Sequence, residues 1–219
     1  TIRTRPAALH ADRPTLRRSS NRAPGRARQA WLAVALTITA LFMVAATGCA
    51  GGLRVESQTR NTTLKPNIRL AVYQAEDSNT ADIYLTNLSP DEVSGVLPLA
   101  AASGSILHIR LFVSPRPGRT PIAETAVNAT VRLAMLAEGD VGIYGGGGFI
   151  FPKGRPGDYT MRIELERASL TLTSSTAGFT DALGASLLDT RVTVRRDEPN
   201  AYRLADRFNL ALERARGSE

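Results

Sequence analysis

Few residues in this chain have the types and spacing that support chemistry. It has one cysteine, Cys49, and two histidines, of which only His108 lies beyond that cysteine. Zinc and copper sites of ordinary composition need several nitrogen or sulfur ligands, and residues 49–219 do not supply them. Calcium chelation needs an Asp-rich loop of fixed spacing, which the sequence lacks. A Ser-His-Asp arrangement would have to use His108, but no G-x-S-x-G elbow accompanies it. His108 falls on the polar side of an alternating run and reads as an exposed strand histidine. Glu164 and Glu166 share one strand face and could act as acid and base, although solvent-facing strand carboxylates have the same spacing. No cofactor and no metal is implied, and the balance leans away from an enzyme.

The most conspicuous local feature is the glycine run 145–148. Consecutive glycines can bring backbone N–H groups close to a phosphate, but that use needs a helix to follow. Here an aromatic stretch follows, Phe149-Ile150-Phe151. A hairpin tip, a bulge, or the close approach of another backbone or ring accounts for the glycines. Tyr144, Gly146, Phe149, Phe151 and Tyr159 gather around the run in sequence and form a candidate contact patch, with core packing as the competing explanation. Loop tips of β domains are places where binding surfaces are carried.

The elements that would hold these residues begin after an unusual N-terminal stretch. Residues 1–48 carry eight Arg and a single acid, Asp12, and residues 30–47 are free of charge and mostly apolar. A basic region, an apolar run and then small residues follow the order of an export signal. Ala46-Thr47-Gly48-Cys49 resembles the lipobox of bacterial lipoproteins, with Ala46 where a larger aliphatic residue is usual. The resemblance implies cleavage between Gly48 and Cys49 and acylation of Cys49, which would become the first residue of the exported protein. The competing reading is an uncleaved anchor, since the uncharged run extends through Leu53 and ~20 apolar residues span a bilayer. Both readings leave the basic end inside and the C-terminal part outside. Ala50 after the cysteine, in place of Asp, resembles sorting to an outer membrane, facing the periplasm or the cell surface.

Charge narrows the partners. The formal net charge is +7, with 27 basic and 20 acidic residues. Subtracting the eight Arg and one Asp of residues 1–48 leaves 19 of each sign in residues 49–219, a net charge of zero. The basicity belongs to the signal, so no global footprint for nucleic acid remains. Short clusters such as Arg195-Arg196 or Arg203/Arg207 read as solvated faces that could at most bind an anion.

Residues 50–52 form a short tether, and the body beyond it alternates as β-strands do. Leu53 and Val55 oppose Arg54 and Glu56; Ile68, Leu70 and Val72 form another stripe; residues 83–85 are a shorter candidate. In residues 105–113, Leu107, Ile109, Leu111 and Val113 share one face. Strands are expected over 126–136, 141–144, 149–151, 159–172 and 190–195, with a hairpin at residues 138–140. A parity change between Leu165 and Leu170 predicts a bulge near Arg167-Ala168. Residues 173–180 are small and polar and read as a loop, while residues 94–105 have no clear pattern. At the end, Leu204, Phe208, Leu212 and Ala215 recur at helical spacing over 199–216, with Arg203, Asp206, Arg207 and Glu213 outside. Asp197 is positioned to cap that helix, with Pro199 in its first turn.

Many short strands without a βαβ rhythm predict a mainly β domain, a sandwich or barrel-like antiparallel sheet over 53–198, carrying a C-terminal amphipathic helix. The expected function is that of a membrane-anchored extracytoplasmic lipoprotein acting by contacts, as a binding or structural module. A subunit of an envelope assembly, a carboxylate-based hydrolase and a carrier of apolar ligands are the alternatives. Its expected partners are the membrane, through the lipid, and an envelope protein.

Overall fold

The computed structural model describes residues 52–115 and 126–217. Gly48 and Cys49 lie outside the described residues. Among these residues nine strands form one sheet: β1 (Leu53–Ser57), β2 (Thr63–Leu64), β3 (Leu70–Ala75), β4 (Ala81–Thr86), β5 (Gly104–Leu111), β6 (Ala129–Ala137), β7 (Asp140–Lys153), β8 (Thr160–Ser175) and β9 (Ser186–Arg196). A short helix α1 (Pro90–Ser94) and a 3-10 turn (Leu99–Ala101) join β4 to β5, and the long helix α2 (Glu198–Arg216) follows β9. From β3 to β9 every strand pairs antiparallel with its sequence neighbour. The far edge of β9 meets β1 antiparallel along its first half, and β3 in a short parallel pairing, Val72↔Arg195 and Tyr73↔Arg196. The sheet is therefore a barrel-like ring with a weak seam rather than a continuous closed ladder. The expectation of a mainly β antiparallel domain with a C-terminal helix is met, in the single-sheet form and not as two packed sheets.

The ring has two cores. Its interior is filled by one cluster of aliphatic side chains with Tyr73 and Tyr144, among them Leu85, Leu107, Ile109, Leu133 and Ile163. A second cluster lies outside the ring, where α2 lays Ala201, Leu204, Phe208, Ala211 and Ala215 over Val72, Tyr84, Ile106, Ala134 and Ile143. Asp197 caps α2 by accepting from the Asn200 amide at 3.2 Å, and Pro199 stands in the first turn. Because α2 lies over the outer face of β3, β4 and β5, that face is partly covered too, and all six residues of β4 are buried.

Several expectations shift for this reason. In β3 Leu70 and Val72 face the helix, while Ala71 and Tyr73 face the interior. Arg207, expected on the solvent side of the helix, is 7 % exposed. Its Nε donates to the Glu92 carbonyl at 2.7 Å and its Nη2 donates to the Leu97 carbonyl, which ties α2 to the α1 connection. Helix α1 is itself set by a reciprocal cap: Ser89 Oγ accepts from the Glu92 amide and the Glu92 carboxylate accepts from the Ser89 amide. This resolves residues 94–105, which had no legible pattern.

The glycine run does not interrupt its strand. β7 passes straight through it, and the hairpin before it is two residues, Glu138 and Gly139, both left-handed. A side chain at Gly146 would collide with the Ser169 carbonyl. One at Gly148 would lie 2.7 Å from the Ala168 Cβ and 2.8 Å from Leu165. Opposite them β8 is bulged between Leu165 and Ala168, with Arg167 left-handed at φ 51° and its amide held by Asp189 at 2.8 Å. The predicted bulge is present, and of the three explanations for the glycines the close approach holds, next to a register shift between Gly147 and Phe149. Residues 173–175, expected in a loop, continue β8, because β7 supplies a partner to pair with. β9 likewise starts at Ser186, four positions before the expected Thr190, because β1 pairs with that part of it.

Gly148→Val overpacks the bulge and is expected to lower stability by about 3 kcal/mol. Gly52→Ala, with nothing within 4 Å of the added carbon, is expected to change it by less than about 0.5 kcal/mol. Urea unfolding of the two variants checks the difference.

Candidate functional site

The positions singled out around the glycine run do not form one patch. Tyr144 points into the ring and is buried, and its hydroxyl donates to Asp181 at 2.6 Å. Burial and the adjacent carboxylate push that hydroxyl above its ordinary range, so it serves as a neutral donor. Gly146 is taken up by the contact with β8. Phe149 and Phe151 do face outward from β7, with ring centroids 4.8 Å apart, and Phe151 is 43 % exposed. Tyr159 is 73 % exposed but sits at the start of β8, where its carbonyl accepts from the Arg196 amide and its surroundings are Arg195, Arg196 and Asp197. What remains of the patch is the phenylalanine pair.

That pair belongs to the outer face left open by α2. Cross-strand register sets Phe151 beside Glu164 and Glu164 beside Arg191, while Phe149 lies beside Glu166. Glu164 is ion-paired to Arg191. The two carboxylates considered as acid and base therefore border an aromatic pair on a strand surface, one of them already neutralised by a guanidinium.

The polar cluster with the most defined geometry is one the sequence did not indicate. In the β4–β5 register Asp82 lies opposite Arg110 and Tyr84 opposite His108. His108 Nε2 shares a 2.7 Å hydrogen bond with Asp82 Oδ1, and Arg110 donates to the other Asp82 oxygen at 3.2 Å and to Glu76 at 2.9 Å. The His108 side chain is 15 % exposed and that of Asp82 7 %. His108 stacks on Tyr84 at 4.7 Å and meets the edge of Phe208 of α2 at 5.6 Å. This corrects the expectation of an exposed strand histidine: α2 lies over that face of the sheet. Burial opposes the charge on Asp82, but the hydrogen bond from His108 and the charges of His108 and Arg110 outweigh it and hold the carboxyl below its usual range. Burial and the charge of Asp82 push the Tyr84 hydroxyl up, so it is no nucleophile near neutral pH.

An aspartate that orients an imidazole is two-thirds of a hydrolytic triad. Here, though, the ring is packed between aromatic side chains, and the pair joins sheet to helix. The sequence signal for Asp82 was slight, one acid beside the apolar Ile83-Tyr84-Leu85, and it gains meaning only from the register with Arg110. Among the described residues no group of three or more His, Cys, Asp or Glu is placed to hold a metal ion, and no helix is long and apolar enough to cross a membrane.

The chain matches no family model, no curated protein and no solved structure.

Asp82→Asn is expected to cost about 2 kcal/mol at pH 7 through loss of its charged hydrogen bonds. Because Asp82 titrates lower in the folded than in the unfolded chain, its contribution is present above about pH 4 and drains away as pH falls through the folded value. The gap between wild type and Asp82→Asn in urea unfolding should therefore shrink from pH 7 to pH 3.

Proposed function

We propose that this chain is a membrane-anchored extracytoplasmic lipoprotein whose barrel-like domain acts by contacts, as a binding or structural module. The observation that carries the reading is the place of Cys49. It is the sole cysteine, it closes an apolar run behind a basic segment, and β1 begins at Leu53. Four residues of extended chain reach about 14 Å at most, so acyl chains on Cys49 would hold the ring against a membrane surface. Each buried CH₂ contributes about 0.8 kcal/mol to such an anchor, and a multiply acylated cysteine needs no peptide span.

The polar groups that could have served catalysis support the contact reading by their engagement. His108 and Asp82 bridge sheet and helix, and Glu164 is paired with Arg191. The phenylalanine pair on the open face is a surface of the type that contacts use. Service as a subunit of an envelope assembly draws on a further observation: Phe112, Val113 and Val127 are exposed large apolar residues besides Phe151.

Intact mass and membrane fractionation of the expressed protein beside a Cys49→Ser variant test the proposal. Loss of residues 1–48 with an acyl mass increment, both abolished in the variant, is expected. A full-length, membrane-bound product from both forms would overturn lipidation and make residues 30–53 a permanent span.

A further inference from the structure

Beyond the anchor and the contact surface, we propose that the cleft between the C-terminal half of α2 and strands β6, β7 and β8 binds a small anionic amphiphile, a phosphate monoester or carboxylate bearing a short apolar substituent. The cleft has a volume of about 430 Å³, within the range of small-molecule sites. Two guanidiniums line it, Arg132 from β6 and Arg216 from α2, and no carboxylate does. Both arginines are solvent-exposed, and neither forms an ion pair among the described residues. Arg216 stands in the last turn of α2, where the helix dipole favours a cation with or without a ligand. Arg132 is the more telling residue. Its cross-strand neighbours are His108 and Gly145, so the sheet gives it no acid to pair with.

Gly145 places no side chain of its own beside Arg132. The β7–β8 register shifts between Ile143 and Tyr144, and the Thr173 methyl fills the space within 3.0 Å of where a Gly145 side chain would begin. Ile143 and Leu212 supply an apolar wall, and Ser174 completes the lining. A planar, forked donor such as guanidinium matches the paired oxygens of carboxylate and phosphate. An oxyanion head between Arg132 and Arg216, with an apolar group against Ile143 and Leu212, satisfies both halves of the surface.

The test is calorimetric titration of the full chain in zwitterionic nanodiscs, after subtraction of empty nanodiscs, with butyl phosphate, butyrate, inorganic phosphate and butylamine. Butyl phosphate or butyrate should bind, butylamine should not, and Arg132→Gln and Arg216→Gln should each weaken binding about tenfold or more. Arg162→Gln, an exposed arginine on another part of the sheet, should leave it unchanged. Unchanged melting temperatures in the two cleft variants separate loss of binding from loss of fold. Failure of both organic anions to bind, or equal binding by the cleft variants and wild type, would overturn the site. Inorganic phosphate binding as tightly as butyl phosphate would overturn its assignment to an amphiphile.

Discussion

The structure depends on the close approach of β7 and β8. A sheet of this size closes on itself only if its longest strands bend, and a bend brings inward-facing side chains into collision. β7 removes those side chains at Gly146 and Gly148, and β8 supplies an extra residue at the bulge by turning Arg167 left-handed. The Asp189 carboxylate caps the amide that the bulge frees. Glycine weakens an extended strand by leaving more chain entropy to lose. Here the cost is offset because the glycines let Leu165 and Ala168 close the interior.

Once the ring forms, part of its outer surface is apolar and needs a cover. β3, β4 and β5 place Val72, Tyr84 and Ile106 outward, and α2 covers them with Leu204 and Phe208. The cover is fixed by polar contacts as well as by packing. Arg207 is buried with its donors on two carbonyls of the α1 connection, so its charge is solvated by the backbone instead of by water. His108, held by Asp82 and stacked on Tyr84, meets Phe208 from below. A buried charge left without its partners costs several kcal/mol, which makes these contacts specific to one placement of the helix.

The helix also divides the outside of the ring into two surfaces of different chemistry. On the open side the cross-strand rows mix signs, with Glu164 beside Arg191 and a phenylalanine pair at the border. Along the C-terminal half of α2 the balance is different, because Arg132 has only His108 and Gly145 as neighbours across the strands. Pairing register, not composition, produces this separation, since residues 49–219 carry equal numbers of basic and acidic groups.

Strands whose side chains alternate were legible from the sequence: Leu53 and Val55, then Leu107, Ile109 and Leu111, then Met161, Ile163 and Leu165 face the interior. The bulge at Arg167 was legible from a parity change, and the Asp197 cap from a residue type at a helix start. What was not legible depends on contacts distant in sequence. β4 looked short because both of its faces are covered. The glycine run looked like a break because the bulge that it accommodates is some twenty positions away. Arg207 and His108 looked solvent-facing because their partners, Glu92, Leu97 and Asp82, come from other elements. The candidate patch divided because Tyr144 and Phe149 lie on opposite faces of β7. The sequence by itself determined the β class, the terminal helix, and the basic-then-apolar order of the N-terminal stretch before the lone cysteine, since these follow from local periodicity and composition. Only the tertiary structure decided the ring, the second core and the meeting of Arg132 with Arg216, because pairing register and helix placement set which distant residues meet.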